Sequence, residues 1–499
     1  MLTRRGWLTL AGSVGTTLVA ASSWWVGGVP IWFRTNQPGF LSWLPPHSGV
    51  AMTVYFAGLA LLLGAWLTLG RHVLTTAHPI ELRPLVAAWA APMLISMPMG
   101  RDLWVYLAHG WLVQSGFDPY RDSPAVLDSA IRSEVSARWL HMPSPYGPLW
   151  IETTRLAGVL TDPHFVVGTF LLRLPVYAAL LVLSWLVYLL ASQFGLRADR
   201  AIWLALANPL AVLLTVGGHN DLVLAALAVG GVTVAVRRGG TWPGLVAGGA
   251  LIGLAGLIKF PALIALAFVV PIWLTARGAG RPISLVVKAF AAAVGGGVAS
   301  GAVVTAVSGL GVGWVRQASA DNSIVNWQSL PTLVGMGVNA VRLGVHHATE
   351  LNDTVRLWRS IGGLAAAMIV LALWYVAMRR LRITDCFALL GVSFLIAIAF
   401  GQTFQPWYLC WALPFLALGM SSALGIGLIM TLSVFEILVT LPDGRGLEDR
   451  LLAIPALVVA ALAAWLTLRS APGDGNADDA GTRVGADRGA DLTSDQLPH

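Results

Sequence analysis

FVVGTFLLRLPVYAALLVLSWLVYLLA, residues 165–191, is predominantly apolar and carries a single charge, Arg173. It exceeds the roughly 20 residues that carry a helix across a bilayer. Comparable runs recur along the chain, so this stretch decides the fold: an all-α polytopic membrane protein, a multispan helical bundle. Apolar runs place about thirteen to fourteen spans, at 7–28, 50–70, 84–99, 165–191, 200–216, 222–236, 242–257, 261–276, 284–308, 360–378, 384–400, 407–419, 421–441 and 450–468. Composition agrees, since 57% of the 499 residues are hydrophobic and 11% charged, against about 25% charged in a soluble domain.

The formal net charge of +7 does not point to nucleic acid, because Lys and Arg are scattered at segment ends rather than grouped on a stripe. They read as topology signals. Cys386 and Cys410 are too few for a disulfide framework or a thiolate metal site. The N-terminus, Thr3-Arg4-Arg5 before an apolar run, has the form of a signal peptide, but the run is as long as a full span and is followed by Trp24-Trp25, so a retained first helix is expected. With Arg4-Arg5 inside, alternate ends bring Arg71/Arg83, Arg197/Arg200, Arg237-Arg238, Arg277/Arg281 and Arg379-Arg380/Arg382 to the same cytoplasmic side. That frame predicts one transmembrane domain over 1–470 in the cell membrane, with large extracytoplasmic loops at 99–164 and 309–359 that bear short amphipathic helices. The tail, 471–499, has almost no large apolar residues and is expected to be disordered and cytoplasmic.

The same frame sends Met99–Tyr120, MGRDLWVYLAHGWLVQSGFDPY, to the extracytoplasmic face. Asp102, Tyr106 and His109 fall at i, i+4 and i+7 and share one face of a helix. Gly116 suits a left-handed C-terminal cap, and Asp118-Pro119-Tyr120 a turn. An acid, a phenol and an imidazole on the wet side of an amphipathic helix make an active-site floor, or simply an interfacial helix facing water. Gly217-Gly218-His219-Asn220-Asp221 is either a functional turn or a cap for the next helix through Asn220 or Asp221.

Ionisable groups in hydrocarbon are functional candidates. Lys259 either snorkels to water or supplies a point charge for phosphate. Arg173 either does the same or pairs with an acid such as Asp221. Gln402–Tyr408 has the composition of a sugar-binding edge and equally of an aromatic belt. No Walker motif, HExxH or CxxC is present, and adjacent His346 and His347 point to different sides, which argues against a metal.

Arg101-Asp102 with Tyr106-Leu107-Ala108-His109-Gly110, Gly116-Phe117-Asp118-Pro119-Tyr120, Ser144-Pro145-Tyr146-Gly147-Pro148-Leu149, Gly217–Asp221, Lys259-Phe260-Pro261 and Gln405-Pro406-Trp407-Tyr408 occur in that order. Over roughly residues 85–440 the series resembles the actinobacterial polyprenol-phosphomannose-dependent α-(1→6)-mannosyltransferases, integral membrane glycosyltransferases of the GT-C type. The resemblance implies a polyprenyl-phosphate mannose donor, used on the extracytoplasmic side to extend a mannan or lipoglycan acceptor. It also implies a catalytic acid at the start of the first large outer loop, the position that Asp102 holds.

Such chemistry needs a general base for the acceptor hydroxyl and cationic or amide donors for the departing phosphate, and calls for no metal or cofactor. Asp102 is then the base and a single attack inverts the anomeric carbon. The expected substrate-binding set is Arg101, Tyr106, His109, Asp118, Tyr120, Tyr146, Arg173, His219, Asn220, Asp221, Lys259, Gln405, Trp407 and Tyr408, with Lys259 and Arg173 as the phosphate clamp. A lipid-linked sugar transporter or flippase is the alternative, although transporters more often keep binding charges near the midplane.

Overall fold

The computed structural model describes residues 3–31, 48–162, 164–319, 324–446 and 450–469. The tail expected to be disordered, 471–499, lies outside the described residues. Counting helices of eight residues or more, the order is α1 Arg4–Val26, α2 Gly49–Thr75, α3 Arg83–Ala90, α4 Asp102–Gln114, α5 Pro148–Thr161, α6 Phe165–Gln193, α7 Ala198–Ala205 and α8 Asp221–Val236. There follow α9 Trp242–Gly256, α10 Ile264–Ala276, α11 Ile283–Ser308, α12 Leu330–Leu343, α13 Asp353–Arg379, α14 Ile383–Ala399, α15 Leu409–Gly419, α16 Ala423–Leu438 and α17 Ala453–Leu468. No strand occurs among the described residues. Five helices, α2, α6, α8 with its short extension, α11 and α13, are long and apolar enough to cross a membrane, and seven shorter apolar helices accompany them. Hydrocarbon supplies no backbone partners, which is why the apolar runs are realised as helices, with one interruption described below.

Local chemistry sets the ends. Thr3, Ser48 and Asn352 accept backbone N–H bonds at the starts of α1, α2 and α13. Gly116 closes α4 at φ +83°, as its position in the sequence predicts. Small residues let the helices touch: a Cβ on Gly248 would lie 2.4 Å from the Gly231 carbonyl where α8 meets α9. Trp66 and Trp203 each donate an indole N–H to the other's carbonyl at 3.0 Å, joining α2 to α7. Trp89 donates to the carbonyls of Leu8 and Thr9, so α1 is part of the packed core. α11 and α13 leave most of their apolar surface uncovered.

The basic loops meet at one end of the bundle. Arg5 donates to the Glu81 carbonyl, Arg197 to those of Val73 and Thr76, and Arg281 to those of Ala377 and Arg380. α1, α2, α8 and α14 each have one terminus there, and the opposite termini of α1, α8 and α14 lead to Gly27, Asp221 and Gln405. These three gather at the other end.

Two sequence expectations change. The continuous span over 200–216 is broken: α7 stops at Ala205, and a π-helical turn, Leu210–Thr215, follows Pro209. Pro209 has no N–H to continue the ladder, and Asn208 fills in by accepting from Leu210 N and donating to Ser433 Oγ at 2.8 Å. The second change concerns α4, which is not an amphipathic helix with a wet face. Tyr106 and His109 are both 1% exposed, because α5 lies across them. Gly110 permits the crossing, since a Cβ there would lie 2.5 Å from the Thr154–Arg155 backbone.

Candidate active site

Asp102 is the first residue of α4 and is aimed by the chain just before it. Gly28 N donates to the Pro98 carbonyl at 2.6 Å and the Trp104 indole donates to the Gly28 carbonyl at 2.9 Å, so the end of α1 clamps the turn that leads into α4. Gly100, at φ +114°, makes that turn. A Cβ on Gly28 would sit 2.2 Å from the Gly100 carbonyl. Gly28→Ala is therefore expected to displace Asp102 and lower turnover at least ~10-fold, since misplacement by about 1 Å is enough for that or more. The check is initial rate normalised to folded protein in membranes.

Beside Asp102 opens a cavity of about 670 Å³. Seven of the residues singled out in the sequence line it: Arg101, Asp102, Tyr146, His219, Gln405, Trp407 and Tyr408. The Asp102 side chain is 20% exposed, and its Oδ2 lies 3.4 Å from His219 Nδ1. The His219 ring stacks on Trp407 at 3.5 Å with 11° between the planes.

The loop carrying Trp407 is held by the 309–359 segment. Ser329 donates to the Gly401 carbonyl, Thr332 to that of Gln402 and Asn326 to that of Phe404, while Arg359 reaches the Ile324 carbonyl at 2.6 Å. These bonds bring Ile324 and Asn326 to the cavity wall.

Lys259, Asn220 and Asp221 lie one layer deeper. Lys259 Nζ donates to Asp221 Oδ1 at 2.8 Å, and the Trp411 indole donates to the same oxygen at 2.7 Å. Three aromatic faces surround the ammonium, Tyr408 at 4.8 Å, Trp411 at 5.7 Å and Tyr146 at 5.8 Å. Gly147 makes the approach of Tyr146 feasible, because a Cβ there would lie 2.3 Å from the Leu257 carbonyl. Asp221 Oδ2 and both amide atoms of Asn220 are buried and have no hydrogen-bond partner, so Asn220 does not cap α8 through its side chain.

The remaining sequence candidates lie elsewhere. Arg173 is fully buried and reaches the Gly217 carbonyl with Nε at 3.3 Å, bracing the 217–221 turn from behind. Tyr106 and His109 stand behind Tyr146. Burial pushes the His109 imidazole down to about 3, and burial with the nearby Asp102 charge holds the Tyr146 phenol well up. Asp118 accepts from Tyr120 N in a tight turn, and Tyr120 packs against Gly313 of the 309–359 segment. Sequence reasoning missed Arg138, Trp139, Asn326, Asp443 and Arg445, all on the cavity wall. Pro442-Asp443-Gly444-Arg445 is itself a charged turn between spans, the signal used for 217–221.

Comparison with known proteins gives the family. Residues 9–275 match the model of the α-(1→6)-mannopyranosyltransferase N-terminal domain, and residues 331–470 that of the MptB C-terminal domain. α-(1→6)-Mannopyranosyltransferase A of Mycobacterium tuberculosis is 32% identical over 92% of this chain and 89% of its own length. The protein of the same name from Corynebacterium glutamicum is 29% identical over 84% of this chain and 88% of its own. The crystal structure of ArnT from Cupriavidus metallidurans aligns with 83% of this chain and 76% of that one at 16% identity and a TM-score of 0.36. The apolar helices, the polar cavity and these matches converge: the chain is a membrane glycosyltransferase and belongs to the α-(1→6)-mannopyranosyltransferase family.

Proposed function

We propose that the protein transfers mannose from a polyprenyl-phosphate donor to a mannan or lipoglycan acceptor, forming an α-(1→6) linkage with inversion on the extracytoplasmic face. The observation that carries this reading is the position of Asp102, a partly exposed carboxylate at the edge of a polar cavity at the end of the bundle away from the basic loops. The acceptor hydroxyl gives its proton to Asp102 as its oxygen bonds to the anomeric carbon. The bond from that carbon to the phosphate oxygen breaks, and the electron pair leaves with the phosphate. Arg101, Arg138 and Arg445 line the cavity and meet that negative charge. Lys259 stands behind them, its charge balanced by Asp221. The prenyl chain stays in the bilayer.

The test is the purified full chain in lipid vesicles, given polyprenyl-phosphate mannose and a short α-(1→6)-mannan, with linkage analysis of the product. A new α-(1→6) bond is expected. Movement of the lipid-linked sugar across the vesicle with no new glycosidic bond would overturn the reading in favour of a transporter.

A further inference from the structure

The Asp102 carboxylate stands at a cavity where water can reach it, and a freely turning carboxylate presents its reactive oxygen only part of the time. Among the described residues, the restraint on it comes from one side. His219 Nδ1 lies 3.4 Å from Oδ2, and the imidazole is itself fixed twice. Its backbone N–H bonds to the Thr215 carbonyl at 2.9 Å at the end of the π-helical turn. Its ring lies flat on Trp407 at 3.5 Å. His219 is 1% exposed and Trp407 6%, so neither ring is a surface group free to turn. Neither ring nitrogen of His219 makes a hydrogen bond of good geometry in the free protein, which leaves Nδ1 available to tighten onto Oδ2 when substrate closes the cavity.

From this arrangement we infer that His219, held by the Trp407 ring, is the positioning residue of the base: it holds Asp102 Oδ2 so that Oδ1 faces the acceptor hydroxyl. The inference rests on the reading of Asp102 as general base. His219 takes no proton in this scheme; the proton stays on Asp102 and leaves to water through the cavity. The other charges around the pair are Arg101, Arg138, Arg445 and Asp443 on the cavity wall and the mutually paired Asp221 and Lys259 beneath. Trp407 belongs to the loop that the 309–359 segment grips, so the same stack ties the aim of the base to the position of that segment.

Substrate contact and positioning make different predictions. With the full chain in vesicles, His219→Ala is expected to lower kcat by ~10²-fold, the size of an orientation effect, while KM for the polyprenyl-phosphate sugar changes less than about threefold, the part of an effect that reports ground-state binding. His219→Gln, whose amide can donate, recovers most of the rate. Trp407→Ala reproduces the His219→Ala defect, and the two combined are no worse than either alone, the non-additivity expected of residues acting as a unit. Trp407→Phe, which leaves a ring for His219 to stack on, loses less rate than Trp407→Ala. Thermal unfolding of each variant in detergent separates these effects from loss of fold. A raised KM with kcat unchanged, or additive losses in the double variant, would overturn the inference. A wild-type protein that makes no glycosidic bond would instead sink the proposed function, whatever the variants do.

Discussion

Asp102→Asn is expected to fold, to reach the membrane at wild-type abundance, and to transfer sugar ~10³-fold more slowly, in the middle of the range for losing a general base. The substitution changes almost nothing but basicity. Asparagine has the same shape, starts α4 as readily, and sits where the side chain is 20% exposed, so no buried charge is gained or lost. Its amide still meets the His219 ring. What disappears is the capacity to accept a proton from the attacking hydroxyl. Donor KM is therefore expected to stay within a few-fold while kcat falls, the pattern of an interaction made in the transition state alone. The measurement is initial rate at saturating donor in vesicles, beside an unfolding curve. Wild-type turnover in a folded Asp102→Asn protein would remove the base from the mechanism.

Lys259→Ala is expected to fail differently, through the fold. Asp221 is 0% exposed, and Lys259 is the cation that balances it. Removing one partner of a buried pair costs about 3–5 kcal/mol, a large part of the 5–15 kcal/mol that holds a typical domain together. The variant should accumulate poorly and unfold early. Because the defect is an uncompensated charge and not a lost contact, Lys259→Met combined with Asp221→Asn should restore much of the stability, since a neutral pair of similar volume carries no such penalty. A direct role of Lys259 on substrate predicts the reverse: a stable Lys259→Ala protein with weak donor binding. Quantifying folded protein by size-exclusion profile in detergent decides between them.

The positions of the spans were legible because hydrocarbon imposes one solution on every apolar run. The expected span at 165–191 appears as α6, Phe165–Gln193. The break at Asn208-Pro209 was also written in the sequence, as a proline inside an apolar run, but the length of the run masked it. The shared face of Asp102, Tyr106 and His109 followed from local periodicity. Its burial did not, since α5, some fifty residues on, covers it and nothing local reports that contact. Arg173 could be placed in its span but not aimed, and it points to the back of the 217–221 turn. Arg138, Asp443 and Arg445 escaped notice because charges in loops look like ordinary solvated residues. Only the closing of the bundle gives them a common cavity.

That cavity is lined by Gly27 and Gly28 near one end of the chain and by Asp443 to Gly446 near the other. During synthesis the chain enters the membrane helix by helix, and Asp102 is inserted early. Its opposing wall is made only after α16 has been threaded and the turn behind it has formed. A nascent or truncated chain that ends before residue 440 thus carries the acid without the chamber, and catalytic competence arrives with the last helices, not gradually as the membrane domain grows.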